Sequence, residues 1–325
     1  MSLLNRRVTI GSVREAAQFV YRAAVRTPLI RLDYPERDVE IYLKLETLQP
    51  IGSFKIRGAY NAIRQIPRDR LADGVWTVSA GNAAQGVAFA ARLVEARCSI
   101  LVIETAPETK LRAIRRLGAT LVPASYDECW TALEAHGSNR MKGYFQHPFD
   151  DDAFISGNGT IGLEILDDLP EVDAVIAPLG GGGLLSGIAC VLRALRPQAR
   201  VFAAEPETAA PLAASRAAGR PRHFEGWTPS FVDGAGGKSV LPTMWPMLSE
   251  WVAGSIVVSL AEVAEAMRVA AERARVVAEG AAGCAIAAAL GERPELAGCR
   301  RIVGVVSGGN IDLHRFSQLI GACPS

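Results

Sequence analysis

What most constrains the fold of this chain is a rhythm. Short runs rich in β-branched and apolar residues alternate with longer stretches rich in alanine, leucine and arginine: "WTVSA", "AQGVAFAARLVEA", "CSILVIE", "ETKLRAIRRLGA" and "TLVPA" follow one another from residue 76 to 124. The succession returns in "VDAVIAPLG", "LLSGIACVLRALRP" and "RVFAAEP", and a last such run, "RRIVGVVSGGN", stands near the end. Parallel strands need a crossover of a dozen or more residues, usually helical. This spacing therefore predicts an α/β protein of open parallel sheets with helices on both faces. "KLRAIRRLGA" ends as such a helix should, with arginines in its last turn and Gly118 just beyond.

Between residues 206 and 245 the rhythm breaks into a passage containing "PRHFEGWTPSFVDGAGGKSVLPTMWP". Aromatic residues such as Phe224, Trp227 and Phe231 argue for long loops over a site rather than a linker. "AAGCAIAAAL" reads as a buried, close-packing helix.

With 325 residues, 49% of them hydrophobic, the chain can bury a large core, and its length suggests about two domains. Thirty-five Lys and Arg against 34 Asp and Glu leave a net charge of +1 and no broad attraction to nucleic acid or an anionic membrane. Small molecules, or copies of the chain itself, are the expected partners. "MSLLNRRVTIGSVREAAQFV" lacks the apolar core and cleavage site of a secretory signal, so a cytoplasmic location is expected. The six cysteines (Cys98, Cys129, Cys190, Cys284, Cys299, Cys323) form no Cys-x-x-Cys pair and read as reduced, mostly buried thiols.

Two glycine motifs are weak. "GNGTIG" at 157–162 fits a dinucleotide pattern but follows "FDDDAFIS", which is no strand; "GAGGKS" at 234–239 resembles a phosphate loop with Val232 where its first glycine belongs. "APLGGGGLLSGIA" at 177–189 is stronger, because a strand runs into Gly180–Gly183 and then a helix. Backbone N–H groups without β-carbons can converge there on an anion at a helix N-terminus. No lysine or acid follows to hold a nucleotide-bound magnesium, which points to a single phosphate on a cofactor. "SAGNAAQG" at 79–86 could hold a carboxylate or ring oxygen, or be a capped turn. "VVSGGN" at 305–310 also closes a strand, and ligands gather beyond strand carboxyl ends. In "PIGSFKIRGAYNAI", Lys55 stands between Phe54 and Ile56. Desolvation would lower its pKa and make it a nucleophile, although a snorkelling helix lysine is the plain alternative. A lysine able to form an imine, a one-phosphate cradle and three strand-end loops together suggest pyridoxal 5′-phosphate.

"GSFKIRGAYNAI", "SAGNAAQGVAF", "PLGGGGLLSGIA", "AAEP", "EGAAG" and "SGGN", in that order, resemble the serine/threonine dehydratase family of pyridoxal-phosphate enzymes, to which serine racemase is related. The resemblance implies fold type II, the tryptophan synthase β-like arrangement: residues 1–65 and 150–325 as a large cofactor-binding domain, and 66–149 as a small inserted domain that closes on substrate. It makes Lys55 the cofactor-bearing lysine, with Phe54 beside the ring. Gly180, Gly181, Gly182, Gly183 and Leu184 would bind the phosphate, Asn82 the ring hydroxyl and Ser307 the pyridine nitrogen. Ser79, Ala80, Gly81, Asn82 and Ala83 would meet the substrate carboxylate, with Trp130 and Gly234 also on the substrate side. A homodimer is expected at family level.

Relatives that make cysteine or threonine have Lys-Asp-Arg at the lysine step, whereas Lys55-Ile56-Arg57-Gly58 resembles the dehydratases and serine racemase. The implied activity is loss of water from a β-hydroxy-α-amino acid, giving a 2-keto acid and ammonia. Racemisation and non-catalytic binding are the alternatives; Ala80, where serine racemase has a serine, counts against the first, and retention of Lys55 and Ser307 against the second. Three positions depart from the family. Ala83 stands where a histidine is usual, Trp130 where an arginine is common, and Pro211 where Glu205 would need an acidic partner for a divalent metal, so no metal is expected. Ala83 and Trp130 suggest a bulky substrate such as phenylserine, or drift with threonine activity retained. The chain ends 15 residues after Asn310, so no C-terminal regulatory domain is expected.

Overall fold

The structure is a computed structural model and describes residues 6–322. Its strands are β1 (Leu29–Arg31), β2 (Glu40–Leu45), β3 (Val75–Val78), β4 (Cys98–Ile103), β5 (Thr120–Ala124), β6 (Tyr144–Phe145), β7 (Ala174–Pro178), β8 (Arg200–Pro206), β9 (Gly254–Val258) and β10 (Arg301–Val306). The helices are α1 (Ile10–Ala17), α2 (Lys55–Ile63), α3 (Arg68–Leu71), α4 (Asn82–Leu93), α5 (Glu108–Arg116), α6 (Tyr126–Glu134), α7 (Asp152–Asp168), α8 (Gly183–Leu195), α9 (Pro211–Ala218), α10 (Trp245–Trp251), α11 (Leu260–Ala274), α12 (Gly280–Leu290) and α13 (Leu313–Gly321).

Two sheets result, a six-stranded one in the order β1-β2-β10-β7-β8-β9 and a four-stranded one in the order β5-β4-β3-β6. Pairing is parallel except at one edge, where β1 runs antiparallel to β2, a departure from the all-parallel expectation. An edge strand is where that exception is easiest, since it pairs on one side only and needs no crossover. Successive side chains of a strand point to opposite faces, and β7 shows this directly. Ala174 and Ile176 enter a core built with α11, α12 and α13, while Val175 and Ala177 enter one built with α1, α7, α8 and α10. The four-stranded sheet likewise has α2, α4 and α5 on one face and α6 on the other.

α12 is buried at every position, which explains its alanines: it packs on α11 and on five strands of the six-stranded sheet, β2, β7, β8, β9 and β10, where only small side chains let backbones approach. Gly118 follows α5 at φ +89, as its helix-stop pattern predicts.

One region differs from the sequence reading, and the weak motif "GNGTIG" is placed in line with it. The stretch 206–245 is not all loop, because α9 forms with Pro211 in its first turn and Gly219 at φ +67 behind it. "GNGTIG" lies inside α7, where a β-carbon at Gly157 would sit 2.5 Å from Arg57 O and one at Gly187 of α8 2.7 Å from Gly159 N. Those glycines let α2, α7 and α8 pack closely. Cys98, Cys129, Cys190, Cys284 and Cys299 are free and buried; Cys323 lies outside the described residues. Among the described residues no helix is long and apolar enough to cross a membrane.

Candidate active site

Lys55 is the first residue of α2, and the chain before it is laced to the loop after β10. Phe54 N donates to Ser307 O at 3.0 Å, Gly309 N to Gly52 O at 2.9 Å, and Ser53 bridges Gly308. The half-buried Lys55 Nζ donates to Pro148 O at 2.8 Å and lies 5.3 Å from the ring centroids of both Phe54 and Phe154. Loss of hydration lowers its pKa to about 8, against the opposing pull of the Glu279 carboxylate.

The helix is anchored two residues on. Arg57, wholly buried, donates to Glu46 at 2.8 Å and to Glu164 at 2.6 Å, and the buried Lys44 pairs with Glu164 at 2.6 Å. Two cations thus neutralise two carboxylates directly behind the lysine.

The glycine turn connects β7 to α8. Gly182 takes φ +91, a conformation that strongly favours glycine, and at Gly181 a β-carbon would fall 2.1 Å from the Phe149 ring. One face of the turn is therefore packed by Phe149, the residue after the carbonyl that holds Lys55. Among the described residues the N–H groups of Gly180 to Leu184 meet no acceptor within the chain. Five consecutive free donors at a helix N-terminus suit an anion of phosphate size.

The third loop joins β3 to α4. Ser79 Oγ accepts from Gly81 N at 3.1 Å, and a β-carbon on Gly81 would meet nothing within 4 Å, so this turn faces open space. Ala83 is buried in the first turn of α4. Trp130 on α6 is half-buried and packs against the core that contains α8. Ser307 is buried at the carboxyl end of β10. Gly234 touches the glycine turn, its carbonyl oxygen 2.6 Å from where a Gly180 β-carbon would be, and its own β-carbon would lie 3.8 Å from Glu279 Oε1. Lys110 of α5 pairs with Asp233, and Lys238 sits 4.3 Å from the Tyr126 ring centroid and 4.4 Å from that of Trp227, tying this loop to the four-stranded unit.

Sequence reasoning gave no role to Glu279 or Asn310, although both lie in the quoted motifs "EGAAG" and "SGGN". Asn82 Nδ2 donates to Glu279 Oε1 at 2.7 Å, and Asn310 Nδ2 donates to Asn82 Oδ1 and to Ile51 O, each at 2.8 Å. Burial raises the Glu279 pKa to about 7, partly countered by the Asn82 hydrogen bond. Phe149 and Phe154 were also missed.

Glu205 accepts from Leu212 N at 2.8 Å and Ala213 N at 2.9 Å and from Ser255 Oγ, so its oxygens serve the start of α9. His136, His147 and Asp150 bring possible ligand atoms within 4.8 Å of one another. His147 Nδ1, however, accepts from Asp150 N at 2.7 Å, and Asp150 is engaged by Arg6 and by Thr243 Oγ1 at 2.5 Å. A lone pair and a carboxylate so committed make a brace where the chain leaves the four-stranded unit.

Comparison with known proteins agrees with this geometry. The family described as "Pyridoxal-phosphate dependent enzyme" matches residues 20–308. The chain is 36% identical over 317 residues to an L-threonine ammonia-lyase of Thermotoga maritima, covering 96% of this chain and 78% of that protein. It is also 36% identical over 323 residues to a catabolic L-threonine dehydratase of Staphylococcus aureus, covering 96% and 92%. Maize serine racemase superposes with a TM-score of 0.87 at 31% identity, covering 96% of each chain. The free N–H row fits a phosphate, and the desolvated Lys55 amine fits an aldehyde partner. The chain belongs to the pyridoxal-phosphate-dependent enzyme family, and pyridoxal 5′-phosphate is its cofactor.

Proposed function

We propose that the chain removes water from a β-hydroxy-α-amino acid of the threonine or serine type, releasing a 2-keto acid and ammonia. The observation that carries this reading is Lys55, an amine with its pKa lowered to about 8 beside a turn of free N–H donors. When bound, pyridoxal phosphate supplies an electron sink that makes the Cα proton of an attached amino acid acidic. Near pH 8 about half of such an amine is neutral, against ~0.4% for an ordinary lysine, so Lys55 Nζ can take that proton. Gly180 to Leu184 hold the phosphate, Asn82 the ring oxygen and Ser307 the ring nitrogen, while Ser79, Gly81 and the first turn of α4 hold the substrate carboxylate. A serine hydroxyl puts no fixed negative charge beside the ring nitrogen. With Ser307 there, the cofactor would supply a weaker electron sink, of the kind that suits elimination. Phe54 and Phe154 keep water from the amine.

In this reading residues 66–149 are a small unit that closes on the substrate, and the protein is a cytoplasmic homodimer, which sedimentation velocity checks for assembly. Racemisation would need a proton-bearing group on the face opposite Lys55, and Ala80 offers none. Ala83 and Trp130 favour a bulky β-substituent such as that of phenylserine. The test is keto-acid release from L-threonine, L-serine and L-threo-phenylserine, with the chirality of residual substrate followed. Release from none of the three sinks the dehydratase reading; a tenfold or greater kcat/KM preference for threonine or serine sinks the bulky-substrate one.

A further inference from the structure

We propose that Glu279 is a positioning residue that fixes the amide of Asn82 toward the cofactor ring. This deepens the reading above and rests on its assignment of Asn82. Three observations support it.

Direction comes first. A backbone carbonyl only accepts, so Ile51 O dictates that the Asn310 amide nitrogen points toward it, and that nitrogen's second hydrogen goes to Asn82 Oδ1. Asn82 must then turn its own nitrogen to Glu279 Oε1, leaving one N–H for a ring oxygen. The relay reads Ile51, Asn310, Asn82, Glu279, and its polarity is set at the backbone end.

Second, Glu279 holds the N-cap position of α12 but makes no capping hydrogen bond with its side chain. An acid at a helix start ordinarily accepts from its own first turn. This one reaches instead to a residue 197 positions away, on the helix that opens the four-stranded unit. Third, the surroundings make room for that reach: a β-carbon at Gly308 would stand 2.6 Å from Glu279 Oε1. The charged groups acting on this carboxylate are Lys55, Lys110 and Asp233; burial raises its pKa to about 7, against the side-chain hydrogen bond from Asn82 and a backbone hydrogen bond from Asn310.

The test uses purified holoenzyme of the parent, Glu279→Ala, Glu279→Gln, Asn310→Ala and Asn82→Ala, with cofactor dissociation constant and visible absorbance as readouts beside kcat and KM. Glutamine still offers an oxygen to Asn82, so Glu279→Gln is expected to keep cofactor affinity within about threefold. Glu279→Ala and Asn310→Ala are expected to weaken it about tenfold and to shift the band as Asn82→Ala does, the net worth of one hydrogen bond being of that size. A circular-dichroism melt of each variant separates this from lost folding; if Glu279→Ala does not fold, Asn310→Ala and the glutamine variant decide. If Asn82→Ala changes neither affinity nor spectrum, the assignment of Asn82 fails. If Asn82→Ala changes both while Glu279→Ala and Asn310→Ala match the parent, the positioning role alone is overturned. Equal losses in Glu279→Gln and Glu279→Ala also overturn it, since they would make charge rather than direction the cause.

Discussion

Replacing Arg57 by methionine would test whether the lysine helix is held by charge balance. Arg57 makes bonds of 2.8 Å to each oxygen of Glu46, 2.6 and 3.0 Å to those of Glu164, 3.1 Å to Thr160 Oγ1 and 3.2 Å to Val25 O. All four charged groups, Lys44, Glu46, Arg57 and Glu164, are buried, two of each sign. Arg57→Met leaves two carboxylates facing one lysine, and an uncompensated buried charge costs about 3–5 kcal/mol. Against a total stability of about 5–15 kcal/mol, that is a large share. Adding Glu46→Gln restores neutrality and should recover about 2 kcal/mol. Urea unfolding of the apoprotein followed by tryptophan fluorescence measures both. Acidity gives a second handle. In the parent, Arg57 and Lys44 hold Glu164 below its ordinary 4.5 despite its burial, so its contribution is present above that pH and lost as pH falls through the lowered value. Without Arg57 burial dominates, the carboxylate titrates higher, and the variant's deficit should shrink between pH 7 and pH 5. A single variant within 1 kcal/mol of the parent, a double variant no better than the single, or a deficit that grows on acidification would each refute the argument.

Gly181→Ala drives a methyl into the Phe149 ring, so cofactor retention should fall about tenfold or more and Phe149→Ala should restore part of it; unchanged binding would show the turn can yield. Lys55→Ala should abolish keto-acid release. In the apoprotein an amine-selective reagent should label Lys55 with a midpoint near pH 8, and a midpoint near 10.5 would contradict its desolvation. Ala83→His and Trp130→Arg should each lower kcat/KM for phenylserine severalfold relative to threonine, and parallel losses for both substrates would remove these residues from the specificity argument.

What could be read ahead of the structure was what the chain writes locally. The strand, four glycines and helix at 174–195 are contiguous, and so is the apolar bracket around Lys55. Partners across long separations left no such trace: Arg57 and Glu164 lie 107 residues apart, and both look like ordinary surface charges in sequence. Glu279 has no local signal because its neighbours are alanines and glycines, and its partner Asn82 opens α4, a helix of the four-stranded unit. α9 is legible in principle through Pro211 and Gly219, but its eight residues are short and border a long glycine- and proline-rich stretch that carries no periodicity. The glycines of "GNGTIG" mark packing rather than binding, a difference that the neighbouring helices α2 and α8 decide.

The alanine-rich helix under the six-stranded sheet implies an uneven tolerance to change. None of its eleven residues is exposed, so it has no outward side on which substitutions could accumulate harmlessly. In a saturation library nearly every enlargement there should be purged, whereas the arginine-studded α5, with Ile114 its one buried side chain, should accept most replacements. The part of the molecule with the plainest composition would then be among the slowest to diverge.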